Sequence, residues 1–255
     1  MAGSPNSNLR GFNHAVQTLL KQPAQFLPHL TIPTFTHLPE DLGPHLIGTA
    51  GKGSAGASES PEKASTPAQP RIPRIRALVL DKDNTLCPPK TTTFPPKILE
   101  KLHELRNSPT SPFHQARNPH AILIVSNRAG SHPNYDGEVS ALEEQLAHLR
   151  IPVFRLPTGT EKKPFCGEEV VQWFREHEVI QSPHEIAVVG DRLGTDVIMA
   201  GMMGSWSVWC KEGVFEPGER GKPERNVLEK MEVWIEKYLR EKKGYTAPAP
   251  KGWEQ

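Results

Sequence analysis

Cysteine is scarce in this 255-residue chain: Cys87, Cys166 and Cys210 are all there are, and no two stand in a CxxC spacing. An odd number without that spacing excludes a closed disulfide framework and a cysteine-rich zinc site, and makes a reducing compartment the default expectation. Long apolar runs are missing too, none approaching the roughly 18 residues that a membrane span requires. No sign of charge dominates, the formal balance being +1, so no global electrostatic footprint for nucleic acid is expected. Aromatic residues make up only 7%, and no basic and aromatic interleaving suggests a stacking surface for bases.

Acids are absent from the first 39 residues; the first is Glu40. Within that stretch Leu9, Phe12, Val16, Leu19 and Leu20 fall on one face of a helix, with Arg10, His14 and Lys21 beside it. Three readings stay open: an amphipathic helix packed on the domain, a helix lying in a membrane interface, and an acid-poor targeting segment. Two formal positive charges, and no small-residue cleavage site after a continuous apolar core, weigh against the last.

The chain divides into four parts. Residues 1–47 hold this helix and a proline-punctuated extended segment in which "LTIPTF" could be an edge strand. Residues 48–73 are expected to be a flexible insertion, because Gly, Ala, Ser and Pro bury too little apolar surface to offset ordering entropy. Residues 74–240 form the folded body, and 241–255 a tail. Apolar runs at 76–80, 121–125, 152–156, 186–189 and 206–210 read as strands. Helical patterns near 96–106, 137–149, 167–177, 194–203 and 225–240 separate or follow them. Strict alternation implies right-handed crossovers and a parallel sheet with helices on both faces.

Polar residues then cluster at strand ends. The first strand finishes in "DKDNT" (81–85), the second in "SNR" (126–128) and the fourth in "GDRLGTD" (190–196), while "EKKP" (161–164) precedes the third helix. Parallel strands present the same end to one edge, so these segments should meet in one cleft. Phosphoryl transfer through a covalent intermediate needs such a set. It takes a carboxylate nucleophile, a second acid to manage the proton, a divalent cation and a lysine to offset negative charge, and hydroxyl or amide donors for the phosphate oxygens. Any one segment alone reads equally well as a solvated turn or a strand-end cap.

Together, the motifs resemble the haloacid-dehalogenase-like (HAD) phosphatases: DxDxT at Asp81, Asp83 and Thr85, a strand-ending Ser126, Lys163 followed by Pro164, and GDxxxxD at Gly190, Asp191 and Asp196. The resemblance implies a Rossmann-like, three-layer parallel sheet. It also implies Asp81 as nucleophile and Mg²⁺ ligand, and Asp83 as general acid and base that lends the metal its backbone carbonyl. Asp191 would complete the metal site, with Asp196 one step removed. Ser126, Asn127 and Lys163 would hold the transferring phosphate, with Lys162 as an alternate. A role for Arg128, beyond a possible contact to an anionic head group, does not follow.

Forty-three residues separate Asp83 from Ser126 and thirty-seven separate Ser126 from Lys163. One helix and one strand use most of each interval, so a capless, open site is expected, suited to a phosphate carried on something large. The loop 211–226, with Lys211, Arg220, Lys222 and Arg225, carries compensating acids and reads as solvated. "HLTIPTFTHLP", "IRALVLDKDNTL", "VSNRAG", "EKKP" and "VGDRLGTDV" are similar to the mitochondrial phosphatidylglycerophosphatases of fungi and plants. That similarity implies an anionic phospholipid substrate on the route to cardiolipin and a peripheral position on the matrix side of the inner mitochondrial membrane. It would make Leu9, Phe12, Val16, Leu19 and Leu20 the membrane contacts. A phosphoprotein or nucleic acid end is the alternative substrate, and a non-catalytic scaffold the reading from another class. The oligomeric state is not legible.

Overall fold

The computed structural model describes residues 7–47, 71–130, 132–157, 160–219 and 222–253. Most of the segment expected to be a flexible insertion, residues 48–70, lies outside them, as does Arg220.

Short aliphatic runs bounded by polar turns form the central strands, as expected for strands covered on both faces. β1 (Leu30–Ile32), β2 (Ala77–Leu80), β3 (Ile122–Val125), β4 (Val153–Phe154), β5 (Ile186–Gly190) and β6 (Trp206–Cys210) make one six-stranded sheet. Its order is β1-β6-β5-β2-β3-β4 and every pairing is parallel. "LTIPTF" does supply an edge strand, and Pro33, which has no N–H to donate, follows its last residue. The helices are α1 (Ser7–Lys21), a short α2 (Gly43–Leu46), α3 (Pro96–Asn107), α4 (Asp136–Leu146), α5 (Gly167–Glu176), α6 (Ile198–Met203) and α7 (Val227–Lys237).

The period-two alternation of the strands decides which helices cover which face. Leu78, Leu80, Ile122 and Ile124 point to the side where Leu102 and Leu105 of α3 and Leu142 and Leu146 of α4 pack. Ala77, Val79, Leu123 and Val125 point to the other, against Val170 and Phe174 of α5 and Met199 of α6. Each fully buried Leu, Ile or Val contributes on the order of 1.5–3 kcal/mol, so the two apolar layers supply most of the drive to this three-layer form. Ile235 and Leu239 extend the second layer over Trp209 of β6.

The strand order reverses at β2. The chain steps outward from β2 through β3 to β4, then returns to β5 on the other side of β2. Such a switch point opens a crevice at the carboxyl ends of the strands, and β2 and β5 end there in Asp81 and Asp191. The Asp81 amide continues the ladder by donating to the Val189 carbonyl at 2.9 Å, which fixes the start of the polar turn. Near β6 the ring of Trp253 meets Trp206 edge-on, with 5.6 Å between ring centroids. No helix among the described residues is long and apolar enough to cross a membrane.

Candidate active site

Asp81 sits at the end of β2, 9% exposed. Burial is the main force pushing its carboxyl up, to about 6; Lys163 opposes the shift, while Asp196 and Asp83 add to it. Carboxylate oxygens of Asp81, Asp191 and Asp196 all lie within 4.8 Å of one another. The Asp191 carboxyl is also pushed well up, by burial first and then by Asp81 and Asp196. Three acids crowded in this way are a costly arrangement unless cations share the space.

One cation is Lys163. Its ammonium, 4% exposed, pairs with Asp81 and lies 2.7 Å from Asp196. Burial disfavours that charge, but the two carboxylates outweigh it and the net shift is upward. Of the two adjacent lysines, Lys163 therefore reaches the cluster, while Lys162 is half-buried outside it. The backbone N–H of Lys163 donates to Asn127 Oδ1 at 2.8 Å, so the loop after β3 holds the lysine loop in place. Ser126, buried at the end of β3, accepts from the Arg128 amide at 3.3 Å. Arg128 itself pairs with Glu138 at 2.7 Å and lies over the Tyr135 ring.

The remaining expected residues are placed less simply. Asp196, expected one step from the metal, stands inside the acid cluster. The Asp83 carboxylate is held outside it, by the buried ammonium of Lys82 and by the Lys90 amide, each at 2.8 Å. Thr85 Oγ1 reaches Asp81 at 3.4 Å. Asn84, at φ +61°, donates from Nδ2 to Asp191 at 2.8 Å. Glu232 of α7, 3% exposed, had no sequence signal: its carboxylate accepts from the Gly194 amide at 3.0 Å and pairs with Arg192 Nε at 3.1 Å. It thus ties the loop between Asp191 and Asp196 to a helix about forty residues further on.

Gly190 explains how Asp196 comes so close. A Cβ there would lie 2.3 Å from the Asp196 carboxylate, inside any permitted contact. Gly190→Ala should displace Asp196 and lower kcat/KM by roughly tenfold to a hundredfold. Turnover, measured beside a circular dichroism spectrum unchanged from wild type, checks this; an alanine variant with full activity would show that the close approach is dispensable.

The N-terminal helix docks beside the lysine loop. Gly11 is buried against Lys163 and Pro164, and Arg10 pairs with Glu161 while lying 5.0 Å from the Phe165 ring centroid. Ala15 and Leu19 turn toward the domain and pack on the cluster around Phe26 and Ile235. Leu9, Phe12, Val16 and Leu20 stay exposed, so Leu19 separates from the four other residues expected on the outward face. In the loop after β6, Lys222 and Arg225 both pair with Glu212, in line with a locally compensated loop. The three cysteines are buried free thiols; burial raises Cys87 to about 12 and Cys166 to about 11, which suits packing residues rather than nucleophiles.

The donors of the acid cluster decide which metal it can hold. The cluster offers hard oxygen ligands, carries three carboxylates against one ammonium, and holds two of the acids at raised pKa through burial first and then through one another. That set fits a hard divalent cation such as Mg²⁺.

Known proteins resemble this chain over most of its length. The family model for mitochondrial PGP phosphatase matches residues 9–215. The chain is 33% identical to phosphatidylglycerophosphatase GEP4, mitochondrial, of Saccharomyces cerevisiae over 222 residues, 87% of this chain and 93% of that protein. It is 30% identical over 239 residues to the Schizosaccharomyces pombe protein named "Probable phosphatidylglycerophosphatase, mitochondrial", covering 93% of this chain and 95% of the other. Among solved structures, a protein from Mesorhizobium loti described as HAD-like aligns with a TM-score of 0.39 at 18% identity, over 64% of this chain and 87% of that one.

Proposed function

The chain belongs to the mitochondrial PGP phosphatase family, and on that footing we propose that it removes the terminal phosphate of phosphatidylglycerophosphate through an aspartyl-phosphate intermediate. The observation that carries the chemistry is the contact of Lys163 with both Asp81 and Asp196. It gathers three motifs, from far apart in the chain, into one charged cluster.

In the first step an Asp81 oxygen attacks phosphorus, the phosphorus–oxygen bond to the lipid breaks, and Asp83 gives its proton to the leaving alkoxide. In the second, Asp83 takes a proton from water as that water attacks the aspartyl-phosphate; the new bond to Asp81 breaks and inorganic phosphate leaves. Lys163 offsets charge on the attacking carboxylate and on the phosphoryl oxygens, and Ser126 with the Asn127 side chain supplies donors for those oxygens. Asp83 must turn from Lys82 and Lys90 toward the leaving oxygen in the first step and toward the attacking water in the second, so that hold is a resting position. Asp81 and Asp191, with the Asp83 carbonyl and with Asp196 close by, would hold Mg²⁺, which when bound supplies positive charge to neutralise the cluster toward a phosphate dianion.

The exposed Leu9, Phe12, Val16 and Leu20, on a helix without acids and with Arg10 and Lys21, support contact with an anionic bilayer surface. Both relatives are named mitochondrial, which supports a mitochondrial location; within it, the reading puts the enzyme on the matrix side of the inner membrane as a peripheral protein. Phosphate release from phosphatidylglycerophosphate in mixed micelles, with and without Mg²⁺, tests the reading beside a phosphopeptide and a 5′-phosphorylated oligonucleotide. Strong Mg²⁺-dependent preference for the lipid is expected. Equal turnover of peptide or oligonucleotide would keep the catalytic residues and discard the lipid.

A further inference from the structure

A cavity of about 280 Å³ lies between the first and last helices. Ala15, Val16 and Leu19 of α1 line one side, and Leu228, Met231 and Ile235 of α7 the other. Asn127 and Lys163 line it as well, and Lys163 is the residue whose ammonium touches Asp81. The cavity therefore borders the residue that carries its charge into the acid cluster. We propose that this groove is the site for the proximal part of the acyl chains of the phospholipid substrate, with α1 and α7 as its two walls. The inference rests on the lipid-phosphatase reading above.

Four observations select that occupant. The groove borders Lys163, so a chain lying in it stays close to a phosphate held at that residue. Its charged pair, Arg192 and Glu232, is already satisfied internally. The walls are helices whose backbone groups are spent within the helix, so a peptide laid there would find few partners for its own N–H and C=O groups, whereas a hydrocarbon chain needs none. Finally, both walls end in apolar residues that face water: Leu9 and Leu20 on α1 are 58% and 77% exposed, and Val227 and Trp234 on α7 are 83% and 63% exposed. A groove rimmed this way opens toward a bilayer rather than toward bulk water. From Gly11 to Leu19 the wall spans about 12 Å, at ~1.5 Å per residue. That leaves the end near Lys163, Arg192 and Thr195 for the polar head group and the remainder for the chains.

The test uses the full chain with Mg²⁺ and dihexanoyl lipids below their micelle concentration. Dihexanoyl phosphatidylglycerophosphate and dihexanoyl phosphatidylinositol 4-phosphate are each compared with their deacylated head groups. For wild type the acylated form should show a kcat/KM at least about tenfold higher, from a lower KM, since a few buried methylenes suffice for that factor. Ala15→Trp and, on the opposite and more exposed wall, Met231→Trp should each cut this ratio at least about tenfold by filling the groove, with thermal melts to confirm folding. No chain dependence in wild type, or a dependence that both variants preserve, would overturn the inference. So would association into dimers, seen by sedimentation, that both variants abolish while the chain dependence is absent, because the groove would then belong to a second copy. The two readings separate cleanly. Turnover of phosphatidylglycerophosphate without chain dependence sinks the groove alone. A chain dependence, lost in the variants, seen only with the inositol lipid sinks the proposed substrate and keeps the groove.

Discussion

Asp81→Asn should lower kcat by about 10⁴-fold or more, because a neutral amide of the same shape cannot attack phosphorus. The same substitution should not weaken the fold. Asp81 is one of three crowded acids, held at a pKa of about 6 by burial, so above that pH its charge is a burden on the folded state. The sign follows from linkage: an acid whose pKa is raised on folding favours the unfolded chain at neutral pH. Without added divalent cation, the variant is expected to melt no lower than wild type, and to gain up to about 3 kcal/mol at pH 7, a gain that fades as pH falls below 6. Lys163 keeps Asp196 as a partner, so the change leaves no orphaned cation. Substantial phosphate release by Asp81→Asn would overturn the nucleophile assignment.

Lys163→Met should do the reverse to stability and similar harm to activity. Removing the buried ammonium leaves Asp81, Asp191 and Asp196 without their nearest counter-charge, and breaking a buried pair in this way costs roughly 3–5 kcal/mol. Turnover is expected to drop about 10³-fold, since charge on the attacking and transferring oxygens is no longer offset. Adding Mg²⁺ should raise the melting temperature of this variant more than that of wild type, because a ligand that binds only the folded cluster stabilises by mass action. Melting curves in EDTA and in Mg²⁺ read both effects. A variant as stable as wild type in EDTA would mean that the lysine does not carry the cluster's charge balance.

Asp81 and Lys163 are both legible in the sequence. The aliphatic runs ending in Asp81, Ser126 and Asp191 could be read as strands because burial on both faces leaves a continuous apolar signature. Parallel topology then forces their ends together. The choice between Lys162 and Lys163 hung on Pro164 alone in the sequence, and the contact of Lys163 with Asp81 speaks for the same residue. Glu232 could not be read, because a buried acid on a helix with other acids around it has no periodic or motif mark; its role depends on Arg192 and Gly194, far away in the chain. The grip of Lys82 and Lys90 on Asp83 was hidden for a different reason: it depends on the turn geometry between residues 82 and 91, with Lys90 at φ +64°, which residue types do not dictate. The split of Leu19 from Leu9, Phe12, Val16 and Leu20 reflects docking of α1 through Gly11 and Ala15. A helical wheel ranks residues by hydrophobicity and so overlooks small residues that let another surface approach.

The edge strand β1 carries a consequence for the order of assembly. Its neighbour is β6, and the His29 amide bonds to Ser207 at a separation of 178 residues. Pairing at that distance is slow and costs much chain entropy before contacts repay it. As the chain emerges from a ribosome or a translocation pore, β2 to β5 can collapse around their own helices, but β1 has no partner until residue 210 has appeared. Until then the preceding segment, α1 included, is tethered and undocked, its apolar side available to a chaperone or a lipid surface. The lysine loop against which Gly11 settles is completed earlier, so closing the helix over Lys163 belongs to the late part of folding.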